Sequence, residues 1–141
     1  MTGIRIDGKA IAQTVKDRVK KAVSEIKTQG VNPCLATVLI GNNPASATYV
    51  KNKHKACEEV GIITKDHKLD ESVTQQELNH IIDELNADVS VHGILVQLPL
   101  PKHLNEFATT SRISPIKDVD GLTPHNAGLL AMKKAALVAC T

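Results

Sequence analysis

From Lys9 to about Gln29, the residues Ile11, Val15, Val19, Val23 and Ile26 recur at three- and four-residue steps. This predicts an amphipathic helix, with Gly30 and Pro33 ending it. The pattern then changes. Cys34 to Ile40 is a nearly continuous apolar run bounded by Gly41-Asn42-Asn43, as expected of a strand buried on both faces in a parallel sheet. Asn43 as N-cap and Pro44 at the first helical position predict a second helix, running to about Val60 and closed by Gly61 in the left-handed conformation. Ile62 to Leu69 reads as a strand of mixed pattern, and Glu71 to Leu85 holds a helix with Thr74 as cap and Leu78, Ile81, Ile82 and Leu85 inside. Val91 to Leu98 is the third strand, ended by Pro99-Leu100-Pro101. Strands alternating with helices imply parallel pairing through right-handed crossovers. The expected class is therefore α/β: βαβ units in three layers, with a short, mostly parallel sheet flanked by helices. Residues 114–121 have loop chemistry, and Leu122 to Thr141 is an apolar-rich tail in which Ala127 to Val138 reads either as a helix or as a strand plus linker.

Composition narrows the function. A length of 141 residues, 42% hydrophobic and 23% charged with a formal net charge of +2, fits one globular domain and argues against wholesale disorder. Trp is absent, and Tyr49 and Phe107 are the only aromatics besides histidine. The core must be aliphatic, and a platform of aromatics stacking on single-stranded nucleic acid is excluded. The charge forms no basic stripe for a phosphate backbone, so no nucleic-acid partner is expected. Met1 to Arg5 has no apolar signal core behind a basic start, and no apolar run approaches the length that spans a bilayer. Cys34, Cys57 and Cys140 are odd in number and far apart, which fits reduced thiols and a cytoplasmic location. His54, His67, His80, His92, His103 and His125 are scattered without metal-ligand spacing, so no metal site is expected.

Three places could carry chemistry. At about 100° per residue, Lys51, Asn52, Lys55, Glu58 and Glu59 crowd onto one side of the second helix. Ala47, Val50, Ala56, Cys57 and Val60 lie opposite, and Ser46, Tyr49 and Lys53 fall within that inner half. A lysine there either snorkels out or sits in a cleft, where desolvation favours the neutral amine and proton trading near neutrality. Gln97 closes the apolar run Gly93-Ile94-Leu95-Val96 at the carboxyl end of a strand, where open α/β sheets place ligands. It either has a specific hydrogen-bond partner or turns out to solvent. Asp118-Val119-Asp120-Gly121 is either a solvated turn or a carboxylate site for the paired N–H donors of an amidine-like ring edge. Gly-x-Gly-x-x-Gly, the phosphate-cradling Gly-x-x-x-x-Gly-Lys-Ser/Thr and the Gly-x-Ser-x-Gly elbow do not occur, so no dinucleotide site can be built from these residues.

Taken together, Pro44-Ala45-Ser46-Ala47-Thr48-Tyr49-Val50-Lys51-Asn52-Lys53, His92-Gly93-Ile94-Leu95-Val96-Gln97-Leu98-Pro99-Leu100-Pro101 and Lys117-Asp118-Val119-Asp120-Gly121-Leu122 resemble the bifunctional methylenetetrahydrofolate dehydrogenase/methenyltetrahydrofolate cyclohydrolases of the FolD type. Ile6-Asp7-Gly8-Lys9 and Asn126-Ala127-Gly128-Leu129-Leu130 extend the match over essentially the whole chain. The resemblance implies oxidation of 5,10-methylenetetrahydrofolate with NADP (NAD in some members), then hydrolysis of the methenyl cation to 10-formyltetrahydrofolate. It places the family's cleft lysine, the proton-transfer residue, on Lys53, its tyrosine on Tyr49, its glutamine on Gln97 and its pterin-binding aspartate on Asp120. The substrate-binding set it implies comprises Ser46, Tyr49, Val50, Lys51, Asn52, Lys53, Val96, Gln97, Leu98 and Asp120.

The same resemblance implies a division of labour. Residues 1–121 are expected to be the folate-binding catalytic domain, and 122–141 a linker or the start of an NAD(P)-binding domain. The Gly-rich nucleotide loop of the family's Rossmann-type domain is not found in this sequence, and Ala139 stands where the family usually has proline. The expectation is one lobe of a two-lobed enzyme, with the cofactor held elsewhere and hydride transfer outside the reach of these residues alone. Full-length members are usually homodimers, mostly through the nucleotide domain, so these residues alone are expected to be monomeric. The alternative is a non-enzymatic folate-binding or assembly module.

Overall fold

The computed structural model describes residues 6–138, in the order α1 (Gly8–Thr28), β1 (Cys34–Ile40), α2 (Pro44–Val60), β2 (Ile63–Leu69), α3 (Gln75–Ala87), β3 (Gly93–Val96), α4 (Glu106–Arg112) and α5 (Pro124–Ala131). Met1 to Arg5, Cys140 and the Ala139 position lie outside the described residues. The three strands form one parallel sheet in the order β2-β1-β3. The chain leaves β1 for β2 on one side and then crosses to β3 on the other. The crevice between the carboxyl ends of β1 and β3 is thus the point where the winding reverses, the usual ligand position in open α/β sheets.

Alternation along β1 assigns the faces. Cys34, Ala36, Val38 and Ile40 join Leu78, Ile82 and Leu85 of α3, together with Ile94 and Val96 of β3, in the hydrophobic core. Thr37 points to the opposite face, where it meets His54 of α2. The α/β class and the helix-flanked parallel sheet expected above are what the structure has.

Local chemistry sets the element ends. The Asp7 carboxylate accepts from the backbone N–H groups of Lys9 and Ala10 to open α1. The Asn43 side chain accepts from those of Ala45 and Ser46 to open α2, and Gly61 closes α2 at φ 85°, a left-handed value that costs a residue without Cβ least. The Thr74 hydroxyl and the Glu77 carboxylate form a reciprocal capping box on α3, so α3 begins at Gln75 and not at Glu71. Lys117 closes the other end of α3, its Nζ donating to the carbonyls of Leu85, Asn86 and Asp88 at 2.8–3.0 Å.

Three readings need correction. β3 is shorter than the predicted 91–98 because only Gly93–Val96 is laddered. Pairing continues singly at either end, from His92 N–H to the Cys34 carbonyl and from Gln97 N–H to the Val38 carbonyl. α4 was not predicted. Its seven residues are too few for a periodicity, and tertiary bonds hold it: the Arg112 guanidinium donates to both Asp83 oxygens at 2.7 and 2.6 Å. The apolar stripe of α1 is mostly open. Val23 is buried, whereas Ile11, Val15, Val19 and Ile26 are exposed. At the tail, the helical alternative holds for Pro124–Ala131, and residues 132–138 are irregular.

Candidate functional site

α2 touches the sheet along a single stripe. Ser46, Val50, Cys57 and Val60 are buried and Lys53 is half-buried, a succession of three- and four-residue steps. Tyr49 does not fall inside this stripe as its angular position suggested: it is 62% exposed. Ala47 is exposed as well. The covered stripe is narrower than half the helix, and Tyr49 stands at its margin with the ring open to solvent. Lys51 and Asn52 are exposed on the outward face.

Lys53 Nζ donates to Gln97 Oε1 at 3.4 Å. The glutamine thus has a partner, and the half-buried lysine directs its head to it. Gln97 is held on its other sides, its backbone N–H donating to the Val38 carbonyl at 2.9 Å and its Nε2 to the Leu98 carbonyl at 2.7 Å. With the amide nitrogen spent on the backbone, Oε1 is left facing the ammonium, so β1 and β3 together aim the acceptor that receives Lys53. Val96 is in the hydrophobic core, on the sheet face away from α2. Its side chain serves the core, and its backbone leads directly into Gln97. Leu98 is half-buried against the same core.

The two carboxylates of the Asp118-Val119-Asp120 loop have different work. Asp118 is 1% exposed and accepts from Leu122 N–H, Thr123 N–H and Asn126 Nδ2 at 2.8–3.2 Å. Burial alone would raise its carboxyl, but the hydrogen bonds from Asn126, Thr123 and Leu122 outweigh it and hold the group below the usual carboxylate range. Asp118 is thus the internal tie that pins the start of α5 to the loop. Asp120 is half-buried, and no side-chain hydrogen bond joins it to the other described residues. The loop lies beside β3, because Lys117 accepts from Ile94 N–H at 2.7 Å and Asp118 forms a parallel bridge with Ile94. Gly121 carries φ 66°, and a Cβ there would sit 2.3 Å from the Leu137 carbonyl oxygen. Only glycine lets the chain pass that close, and the backbone turns immediately after Asp120.

The crevice at the carboxyl ends of β1 and β3 has a volume of about 160 Å³ and is lined by Ile40, Gly41, Asn43, Glu71, Pro99 and Pro101, among others. Lys53 and Gln97 are the predicted site residues that a side-chain hydrogen bond joins across two elements. No hydrogen bond or ion pair links Ser46, Tyr49 or Asp120 to them among the described residues. A polar group the sequence analysis did not single out lies under the same helix: Thr37 is hydrogen-bonded to Asp66 at 2.7 Å and to His54 at 3.1 Å, and His54 Nε2 lies 2.8 Å from Asp66 Oδ1. The available signals were a lone threonine at the centre of an apolar strand and a histidine next to Lys53.

The start of α2 offers no pyrophosphate site. The pyrophosphate of a nicotinamide dinucleotide needs free backbone N–H groups at a helix N-terminus. In α2 Pro44 has none, and the Asn43 side chain takes those of Ala45 and Ser46. At the starts of α3 and α5 the Thr74 and Thr123 side chains each take one backbone N–H, those of Glu77 and Asn126. Among the described residues, no three or more His, Cys, Asp or Glu side chains are placed to hold a metal ion, and no helix is long and apolar enough to cross a membrane.

Residues 6–120 match the family model for the tetrahydrofolate dehydrogenase/cyclohydrolase catalytic domain. The chain is 80% identical over 141 residues to the bifunctional protein FolD of Nitrosopumilus maritimus (strain SCM1), covering 100% of this chain and 49% of that protein. Among solved structures, it superposes on the bifunctional FolD methylenetetrahydrofolate dehydrogenase/cyclohydrolase of Campylobacter jejuni with a TM-score of 0.93 at 47% identity, covering 95% of this chain and 48% of that one. The Trypanosoma brucei methylenetetrahydrofolate dehydrogenase-cyclohydrolase (FolD), complexed with NADP cofactor and inhibitor, gives a TM-score of 0.90 at 34% identity over 98% of this chain and 48% of that one. The chain thus spans about half the length of the relatives it matches. The matched domain, the identities and the shared fold agree: this chain belongs to the tetrahydrofolate dehydrogenase/cyclohydrolase family, FolD type, and carries its catalytic domain.

Proposed function

We propose that these residues form the folate-binding half of a methylenetetrahydrofolate dehydrogenase/methenyltetrahydrofolate cyclohydrolase, with Lys53 moving the proton in the hydrolytic step. The observation that carries this reading is the contact from Lys53 Nζ to Gln97 Oε1, which holds an amine at the flank of α2 beside the carboxyl end of β3.

Hydrolysis of 5,10-methenyltetrahydrofolate adds water to the amidinium carbon between N5 and N10. Lys53, as the amine, accepts a proton from the attacking water as the C–O bond forms. A cationic substrate beside Nζ repels a second positive charge and so favours that amine form. As the bond from the carbon to N5 breaks, Lys53 returns the proton to N5. The second water proton leaves to solvent when the formyl carbonyl forms, so the step yields 10-formyltetrahydrofolate and one proton. Gln97 orients Nζ throughout. Asp120 is the available acceptor for two parallel N–H donors from the 2-aminopyrimidinone edge of the pterin. Tyr49 offers an uncovered ring against which the folate ring system can stack.

Oxidation of the methylene substrate is proposed to use NADP as hydride acceptor. On the family resemblance NADP would be held mainly by the nucleotide-binding domain, and the contribution of these residues is to bind and orient the folate. Homodimerisation and a cytoplasmic setting are proposed on the family resemblance alone.

The test follows loss of the near-ultraviolet absorbance of 5,10-methenyltetrahydrofolate. Acceleration by the wild-type chain and its loss in Lys53→Met are expected. Folate binding without acceleration in either protein would overturn the catalytic reading in favour of a binding module.

A further inference from the structure

We propose that His54 is the positioning residue of this site: through Thr37 and Asp66 it fixes the rotation of α2 that brings Lys53 Nζ to Gln97. The proposal rests on the reading of Lys53 as the proton-transfer group. It arises from a gap in the apolar contacts of α2. Its buried apolar anchors are Val50, Cys57 and Val60, so the turn between Val50 and Cys57, which carries Lys53, has no buried apolar side chain. Nearer the amino ends of the strands, an apolar cleft of about 280 Å³ bordered by Pro33, Leu35, Cys57 and Val119 leaves the packing incomplete. Besides Lys53 itself, the side chain that ties this middle turn to the sheet is His54.

The tie joins α2 to both β1 and β2. Thr37 and Asp66 are register partners on β1 and β2 and so project from the same face of the sheet. The Thr37 hydroxyl donates to Asp66 Oδ1 at 2.7 Å. With that proton committed, Thr37 Oγ1 is an acceptor, and a carboxylate can only accept. His54 Nε2 therefore carries a hydrogen and donates to Thr37 Oγ1 at 3.1 Å, and it pairs with Asp66 Oδ1 at 2.8 Å. The group is not a nucleophilic triad, because the hydroxyl belongs to a residue only 1% exposed and no substrate can reach it.

The leverage is geometric. Side-chain atoms ride about 6 Å from a helix axis, so a 10° rotation of α2 moves them by about 1 Å. At 3.4 Å the Lys53–Gln97 bond is already near its limit, and a misplacement of about 1 Å can cost on the order of 100-fold in rate.

The experiment uses lysine labelled with ¹³C at Cε, with the Lys53 resonance assigned by its absence in Lys53→Met. Gln97→Ala defines the shift produced by losing the amide partner. His54→Leu removes the donor at similar size and is expected to move the Lys53 resonance in the same direction. It is also expected to lower the hydrolytic kcat at least tenfold while KM stays within about twofold. His54→Gln, which keeps a nitrogen donor at comparable reach, is expected to restore both. Adding His54→Leu to Gln97→Ala is expected to lower kcat no further, whereas a merely structural role would make the two losses multiply. Asp66→Ala, on the exposed edge strand, is expected to move the resonance the same way without unfolding the chain.

An unmoved Lys53 resonance in folded His54→Leu and Asp66→Ala overturns the proposal. Hydrolysis unaffected by Lys53→Met overturns instead the catalytic reading beneath it, whatever the resonance does.

Discussion

On one face of the sheet Ala36, Val38 and Ile40 meet Leu78, Ile82 and Leu85 of α3 as one continuous apolar layer. On the other face Thr37, His54 and Asp66, and beside them Lys53 and Gln97, meet through hydrogen bonds. Apolar burial is non-directional and tolerates small shifts, so it supplies stability without fixing an orientation. Hydrogen bonds contribute less net free energy but are strict in distance and angle. The α3 face thus holds the domain together, and the α2 face aims one amine at one amide. The exposed ring of Tyr49 stands at the margin of this second face.

Substitutions that separate the two faces test this contrast. The largest change in stability is expected from Leu78→Ala or Ile82→Ala, both at fully buried positions. Each should cost about 2–5 kcal/mol in urea unfolding, with the hydrolytic constants of the surviving folded fraction unchanged. Asp118→Asn comes next, at about 1.5–3 kcal/mol near neutrality, because a carboxylate bound by three donors is replaced. Its pH dependence has a definite sign. The folded carboxyl lies below its ordinary value, so the unfolded chain takes up the proton first as pH falls. The stabilisation is complete above the unfolded value of about 3.9 and is lost as pH falls through the lower folded value. Unfolding midpoints measured from neutrality down to acid should therefore drop less in Asp118→Asn than in wild type.

Gly93→Ala is expected to cost about 1–3 kcal/mol by overpacking, since a Cβ there would sit 2.6 Å from Val119 Cγ1. Adding Val119→Ala should return part of that loss, a non-additivity that urea melts of the single and double variants would detect. The smallest effect on the fold is expected from Tyr49→Ala, within about 0.5 kcal/mol, together with weakened folate binding. A larger loss of stability would place the ring in the packing and not in the open site.

How much of this was legible in the sequence depended on whether the signal was local. Asn43, Pro44 and Gly61 each act on neighbouring backbone, and α2 begins and ends where they predict. β1 was equally clear, because a run apolar at successive positions suits a central strand covered on both faces. α4 was not legible, since Arg112 and Asp83 are far apart in the chain and meet only after folding. Helical angle placed Lys53 on the inner side of α2, but angle alone could not show that the covered stripe is too narrow to include Tyr49. The two aspartates of the loop looked alike in sequence. The donors that commit Asp118, supplied by Leu122, Thr123 and Asn126, are visible only once α5 is in place.

The most direct test of the division between a face that stabilises and a face that acts is Lys53→Met, measured on one preparation for both unfolding and hydrolysis of 5,10-methenyltetrahydrofolate. The account predicts an unfolding free energy from urea melts within about 0.5 kcal/mol of wild type and a rate lower by at least about 100-fold, the range expected for loss of a proton-transfer group. A rate equal to wild type in a folded Lys53→Met protein would contradict it.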